Sequence, residues 1–427
     1  MSATTTTATL DGLFYEVYAS EIENLIPEVA KVVKLVPFVE KAKESGGYYN
    51  QPVVVAASQG FTYQAPGTTI TLNPAISMQM QNAKLLGSQM VLRVAMDYEA
   101  AARASTSKKA FVEGTGLIME EMMESSTKRL EIATLYGQEG LGTTASIAQY
   151  SGNSNPTTES LVTFSAASWA VGIWSGSENT QVNFYNGSSI VSSGADAIFT
   201  VIEVNADNRT IVVSGTSGGS TTLVALTATP LAVYYRGAYG LEMAGIGKII
   251  SNTGSLFNIN ATTYNLWAGN TMTVTGALTM GKILAGISRA VGRGLNERVV
   301  CLINPDTWAN LQSDLAAQRM FDSSYDSKKA KSGAENILYY GQNGEIEVIS
   351  HNCIKAGDCM IFPPKKVMRV GAQNLSFVTP GMPGQGQIFL HLAEQAAFEL
   401  RLYTDQAVII ETPARCVRIT GFTNQAA

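Results

Sequence analysis

The sequence is short of charge and nearly devoid of histidine. Asp, Glu, Lys and Arg make up 15% of its 427 residues, where an ordinary soluble domain has about a quarter. A surface with so little charge, yet rich in Gly, Ser, Thr and Asn, suits contact with other protein. Only His351 and His391 are available for imidazole chemistry. The four cysteines, Cys301, Cys353, Cys359 and Cys416, fall in the last third of the chain. With no secretion signal beside them they are expected as reduced thiols, not a disulfide framework. Met1 to Leu10 is a Thr and Ala run without a basic start or an apolar core, so it does not read as a signal peptide. No run approaches the ~18 apolar residues of a membrane span.

The hydrophobic fraction is 45%, enough to fill more than one core. Thirty-four acids against 29 bases leave a net charge of -5. That balance argues against a surface built to hold nucleic-acid phosphates.

Along the chain, Phe14, Tyr18, Ile22, Leu25, Val29, Val32 and Val36 recur at helical spacing, with Pro27 placed to break or kink the helix. This reads as an arm of two short helical pieces, or equally as the first core helix of a domain. Between Tyr48 and Met96 the only charges are Lys84 and Arg93, and the pattern alternates as strand. Pro52, Gly60, Pro66, Gly67, Asn73 and Pro74 divide it into a long β-ribbon. Such a ribbon has too little to bury against itself, so it is expected to lie on a neighbouring molecule.

Residues 107–136 predict one long helix, with Thr106 or Ser107 as cap and Phe111, Ile118, Met122 and Leu130 near one face. Gly137 and Gly140 are expected to stop it. Residues 143–236 then turn dense in Gly, Ser, Thr and Asn, with strands expected at 161–164, 181–185, 198–204, 210–214, 222–227 and 233–235. The clearest is a hairpin turning through Asn205, Ala206, Asp207 and Asn208. The segment is expected to form an inserted β-barrel or β-sandwich. Beyond it, 246–250 reads as strand, 280–293 as helix and 298–303 as buried strand. Asn304 and Pro305 should open a helix facing inward through Trp308, Leu311 and Leu315. Strands are expected at 346–349, 359–362, 367–370, 388–392, 398–402, 408–410 and 417–419.

Motifs that could carry catalysis fail on context. Gly215-Thr216-Ser217-Gly218-Gly219 has the spacing of a nucleophile elbow, but an elbow needs a helix after the serine and residues 221–228 read as strand. Gly140-Leu141-Gly142-Thr143-Thr144-Ala145 resembles a dinucleotide fingerprint, but it follows a helix and opens none. His351, Cys353 and Cys359 lack the paired spacings of a closed zinc site. His391 and Glu394 would point to opposite faces of a strand. Glu120, Glu121 and Glu124 read as a solvated helix face, and Met119, Met122 and Met123 as packing. Lys328, Lys329 and Lys331 form a small basic patch in a loop. No catalytic, cofactor-binding or metal-binding residues are therefore expected, and no cofactor.

The order of parts resembles the Hong Kong 97-type major capsid protein of tailed bacteriophages. The local matches are Val299-Val300-Cys301-Leu302-Ile303-Asn304-Pro305-Asp306-Thr307-Trp308, which looks like the axial strand and the helix after it, and Gly357-Asp358-Cys359-Met360-Ile361-Phe362-Pro363, which looks like a later axial strand. The fold class this implies is α+β. Its parts would be an N-terminal arm (1–44), an extended loop (45–97), a peripheral domain with a spine helix (98–142), the inserted β-rich domain (143–236), a peripheral return (237–277), an axial domain (278–370) and closing strands (371–427). The implied function is a head-shell subunit, not an enzyme, that self-assembles as hexamers and pentamers around double-stranded DNA. Arm and extended loop would overlap neighbouring subunits.

The resemblance further implies a portal, possible decoration proteins and no membrane, with assembly in the host cytoplasm and residence in the virion. The arm is short, so a separate scaffolding protein is expected in place of a cleaved scaffolding segment. Lys84 has no partner recognisable by motif, so covalent cross-linking is not expected. The rival readings are another phage structural part, such as a tail or fibre protein, or a serine hydrolase using Ser217.

Overall fold

The chain enters the fold through a single helical turn. A computed structural model describes residues 31–40, 49–97, 108–150, 152, 157–312, 337–377, 389–391 and 397–424. Helix α1 (Val32–Leu35) stops before Pro37, because the residue preceding a proline is pushed out of the helical region. Val32 and Val36 are fully buried, so the end of the predicted apolar stripe faces a core; the rest of that stripe lies outside the described residues. Strand β1 (Phe38–Glu40) follows. Strands β2 (Tyr49–Ala56) and β3 (Gln79–Leu85) pair with each other alone, and β4 (Ser88–Asp97) leaves them for another sheet. This is the predicted ribbon.

Helix α2 (Lys108–Tyr136) has 29 residues and is roughly 44 Å long at 1.5 Å per residue. Met122, Leu130, Ile132, Leu135 and Tyr136 are buried along it. The predicted cap and the Phe111 side chain lie outside the described residues. Gly137 ends the helix where a Cβ would fall 2.1 Å from the Met243 carbonyl oxygen, so only glycine fits. Gly140 follows with φ +81°.

Strands β5 (Gly142–Gln149), β6 (Glu159–Phe164), β7 (Gln181–Asn186), β8 (Ser189–Ile190), β9 (Phe199–Asn205), β10 (Thr210–Ser214) and β11 (Ala232–Tyr235) build the insertion. Their order is β11-β5-β6-β10-β9-β7-β8, and β11 also pairs with β7. The second pairing closes a six-stranded antiparallel barrel with β8 appended, which decides between barrel and sandwich. Its interior is filled by residues such as Phe184 and Phe199, which meet edge to face at 5.2 Å, and by Phe164, packed on Trp169 and Trp174. The short helix α3 (Val171–Trp174) carries Trp174. The hairpin through 205–208 is present, with a bulge at Val212/Val213. Of residues 222–227, expected as strand, 222–225 instead belong to helix α4 (Ser217–Ala225) and 226–227 to the turn after it. Thr216 caps that helix by accepting from the Gly219 N–H at 3.0 Å, a local bond that overrides the β propensity of the Thr and Val residues.

The segment 246–250 is likewise helix α5 (Ile246–Ile250), not strand. A run of five apolar-rich residues does not distinguish the two by periodicity, and here all but Lys248 are buried. The two-residue strands β12 (Ser255–Leu256) and β13 (Ile259–Asn260) pair together. Strand β14 (Asn270–Thr273), helix α6 (Met280–Val291), strand β15 (Val299–Ile303) and helix α7 (Pro305–Gln312) follow. The Asn304 side chain accepts from the Asp306 N–H, as expected of a cap, and Leu311 is fully buried; Leu315 lies outside the described residues.

The remaining strands are β16 (Ile337–Gly341), β17 (Gly344–Ser350), β18 (Asp358–Phe362), β19 (Val367–Ser376), β20 (Phe389–His391), β21 (Ala397–Ile410) and β22 (Val417–Thr420). The two strands expected at 398–402 and 408–410 are one 14-residue strand, β21.

Two sheets complete the α+β architecture. One has the order β1-β19-β21-β20, with β4 also on β21; the other runs β14-β22-β18-β15-β17-β16. Helix α6 packs Ile283 and Ile287 against the second sheet, and Gly286 allows close approach, since a Cβ there would lie 3.0 Å from Val417. The largest of three hydrophobic clusters among the described residues runs from α1 and α2 through the barrel to β15, β18 and β21. Among the described residues no helix is long and apolar enough to cross a membrane.

Candidate assembly interface

The ribbon's far half buries almost nothing. Among the described residues, eight of the nineteen exposed large apolar side chains lie between Val54 and Met80, so exposure is concentrated there instead of scattered. Tyr63 is 90% exposed, Leu72 80% and Phe61 65%. Contiguous apolar exposure on this scale marks a contact surface. The near half differs, because Ala83 and Leu85 are buried and the Lys84 N–H donates to the Phe257 carbonyl at 3.0 Å. The expectation that the ribbon has no local core is therefore corrected: its base is anchored and its tip is free.

The start of the described chain is clipped by two side chains, one from α2 and one from β19. Glu131, fully buried on α2, accepts from the Val32 and Val33 N–H groups at 2.5 and 2.7 Å, two of the unpaired donors at the start of α1. The same carboxylate lies 2.7 Å from Nε2 of His351, also fully buried. At the other end of α1, Arg369 donates to the Val36 and Val33 carbonyls at 3.1 and 3.2 Å and to Gln406 at 2.9 Å. Burial pulls the Arg369 pKa down and Glu131 opposes it. Arm, long helix and both sheets are thus tied through one carboxylate and one guanidinium.

A second polar joint lies at the C-terminal end of α2. Arg418 on β22 makes a forked pair with Asp358 at 3.0 and 2.8 Å and reaches Glu139 at 2.6 Å. Forked geometry suits a buried pair, because it satisfies several donors at once. Lys355 is buried next to it, with Nζ donating to the Gly140 carbonyl at 2.8 Å and lying 4.2 Å from the centre of the Tyr136 ring. Burial lowers the Lys355 pKa to about 8, against the pull of Glu139 and Asp358.

Burial also pushes the Cys353 thiol up to about 12, with Glu131 adding to the effect, and raises Cys416. The Cys359 thiol rises through its contact with Cys301, whose Sγ is 3.4 Å away, and through burial. A raised thiol pKa contributes stability that is complete below the ordinary value near 9 and is lost as pH climbs toward the folded value. Lys355 has the opposite sign, since its cost below about 8 is relieved as pH rises toward its unfolded value. Burial lowers Lys128 in the same sense as Lys355, while buried Tyr136 and Tyr235 are raised together with the three thiols. The raised groups outnumber the two amines, so urea midpoints are expected to fall from pH 9 to pH 11, and to fall less in Cys353→Ala. A midpoint that stays flat or rises over that range contradicts this balance.

The sequence candidates separate. A helix does follow Ser217, so the reason given above for discounting the elbow is wrong. Ser217 is nonetheless exposed, lacks the positive φ that marks a strained turn, and among the described residues its hydroxyl bonds to no base. His351 is committed elsewhere, with Nε2 on Glu131 and Nδ1 accepting from the Cys353 N–H at 3.0 Å. Cys359 pairs with Cys301 away from both, and among the described residues no three His, Cys, Asp or Glu side chains converge as metal ligands. Gly142 opens strand β5, not a helix.

Glu120 and Glu121 are exposed, while Met122 is buried against Leu400 and Leu402 and Met123 is 38% exposed. Lys328, Lys329, Lys331, Glu394 and the His391 side chain lie outside the described residues. Reading by motif missed Glu131, Arg369 and Arg418. A weak signal existed, because each charge is flanked on both sides by apolar residues: Leu130-Glu131-Ile132, Met368-Arg369-Val370 and Val417-Arg418-Ile419.

No family model matches the sequence, and no curated protein matches it. Solved structures do. The capsid asymmetric unit of cyanophage A-1(L) is similar over 98% of this chain and 100% of its own, with a TM-score of 0.58 at 10% identity. The capsid protein of a native GTA particle is similar over 99% and 100%, with a TM-score of 0.50 at 8% identity. Identities this low speak for architecture alone. With arm, ribbon, long helix and two sheets in this order, the chain has the Hong Kong 97-type capsid fold, elaborated by an inserted six-stranded barrel.

Proposed function

We propose that this chain is a major capsid protein that self-assembles as hexamers and pentamers into the icosahedral head of a tailed phage and encloses its double-stranded DNA. The observation that carries the reading is the ribbon tip, an uncharged and apolar hairpin anchored only at its base. Lying across a neighbouring subunit would bury it, and repeating that contact by symmetry would close a shell. On this reading the arm, ribbon, peripheral, axial and inserted domains take the boundaries expected from sequence. A separate scaffolding protein and a portal are the further partners, decoration proteins are possible additions, and the subunit resides in the virion after assembly in the host cytoplasm.

The barrel is read as steadying the monomer. The Ala356 N–H donates to the Trp169 carbonyl at 2.9 Å, the Gly357 N–H to Ala167 at 3.0 Å, and the Gly172 N–H to Asn352 at 3.1 Å. Those bonds fasten it to the loop before β18.

Electron microscopy of the expressed protein, alone and with its scaffold, tests the reading. Closed polyhedral shells or hexameric and pentameric rings are expected, and monomers or fibres under all conditions contradict it. Neither rival reading is favoured by a specific observation. Ser217→Ala is expected to assemble as wild type; loss of a measurable hydrolytic activity in that variant would instead support an enzyme.

A further inference from the structure

A cleft of about 270 Å³ opens between the start of β4, the later turns of α2, residues 236–243 and β21. Met90, Leu130, Ala133 and Met243 form its apolar floor. Leu241, 75% exposed, and Val91, 54% exposed, stand at the rim. Two guanidiniums line it. Arg129 lies 3.3 Å from the centre of the Tyr235 ring, and Arg236 donates to Gln181 at 2.6 Å; neither joins an ion pair among the described residues. The one carboxylate in the lining, Glu242, faces Arg129, and burial raises its pKa. The cleft is therefore apolar below and positive at its edge.

The chain holds a matching segment. Residues 1–30 contain Asp11, Glu16, Glu21, Glu23 and Glu28 and no Lys or Arg. They account for the whole net charge of -5, since 29 acids and 29 bases remain in the rest. Phe14, Tyr18, Ile22 and Leu25 recur among those acids at helical spacing. The segment joins the described structure at Lys31, and the next two residues are held by Glu131, on the same helix as Arg129. Thirty residues can span up to about 100 Å, so reach is no obstacle.

We propose that residues 1–30 of this chain seat in this cleft, with their apolar side chains on the Met90, Leu130 and Met243 floor and their carboxylates on Arg129 and Arg236. The contact goes beyond the shell reading and does not depend on it. Because it joins partly exposed charges, it should weaken as salt shortens the screening length from about 10 Å at 0.1 M to about 3 Å at 1 M.

The test uses the full chain carrying Ile22→Cys with Leu241→Cys, oxidised with diamide and analysed by non-reducing gel and peptide mass mapping. Tyr18→Cys with Val91→Cys is the second pair. The chain's own four cysteines are buried. A disulfide between the introduced thiols within single chains is expected, forming at least tenfold more slowly in 1 M salt and when Arg236→Glu is added. Arg236 is exposed, so that change spares the core. Absence of the bond in both pairs overturns the proposal, as does a rate indifferent to salt and to Arg236→Glu. A bond formed only between two chains also overturns it and assigns the cleft to a second copy's segment.

Discussion

Removing residues 57–78 and joining β2 to β3 by a two-residue Asn-Gly turn is expected to abolish closed shells while leaving a folded, soluble subunit. Ala56 and Gln79 are register partners, which is the geometry a two-residue hairpin turn bridges. The deletion spares Ala83 and Leu85 and so leaves the buried base intact. A wider cut over 52–89 would remove them and confuse misassembly with misfolding. The excised tip includes Phe61, Tyr63, Ile70, Leu72 and Ile76, all more than half exposed. Full burial of such side chains contributes about 1.5–3 kcal/mol each, so each ribbon brings on the order of 10 kcal/mol of gross association energy before ordering costs. Its loss should be decisive for assembly and nearly silent for folding. Thermal melts of the subunit and microscopy of its assemblies separate the two, and normal shells from the shortened chain would refute the ribbon's intersubunit role.

Glu131→Ala is expected to be the most damaging single substitution in the subunit, by about 3–5 kcal/mol, because it strips one partner from a buried polar cluster. It leaves the Val32 and Val33 N–H groups and His351 without an acceptor in a site closed to water. Glu131→Gln should cost less, since one oxygen can still accept while its amide opposes the second N–H donor. Urea titration followed by tryptophan fluorescence measures both. Trypsin gives an independent readout, because Lys34 lies within α1 and should be cut faster as the arm comes loose. Wild-type midpoints and wild-type cleavage in both variants would show that the clip holds nothing.

The features legible in the sequence were those written in repeating patterns. Alternation exposed the ribbon, the 3.6-residue period exposed α2 and α6, and Asn304-Pro305 marked α7 by its capping chemistry. The errors came where the run was short. Residues 246–250 and 217–225 have no period to read, and their helical state is set by burial and by the Thr216 cap, neither of which composition reports. The clip and the Arg418 joint depend on contacts across 99 and 279 residues. A charge set between two apolar residues, as Glu131 and Arg418 are, signals that a partner must exist if it is buried, since an unpaired buried charge is costly, but only the fold supplies its identity. Barrel closure was equally hidden, because it rests on β11 meeting β7 as well as β5.

The meeting of β11 with β5 also bears on how the chain folds. Val233 and Gly142 are register partners, so the polypeptide leaves the host fold and returns to it at one place. The entropy of closing that long excursion, which grows only as the logarithm of its length, falls within the barrel's own folding. Once the barrel has formed, α2 and residues 236–243 are as near in effective sequence as if a tight turn joined them. A long insertion of this kind slows the host's search little, and it delivers Tyr235 directly beneath Arg129.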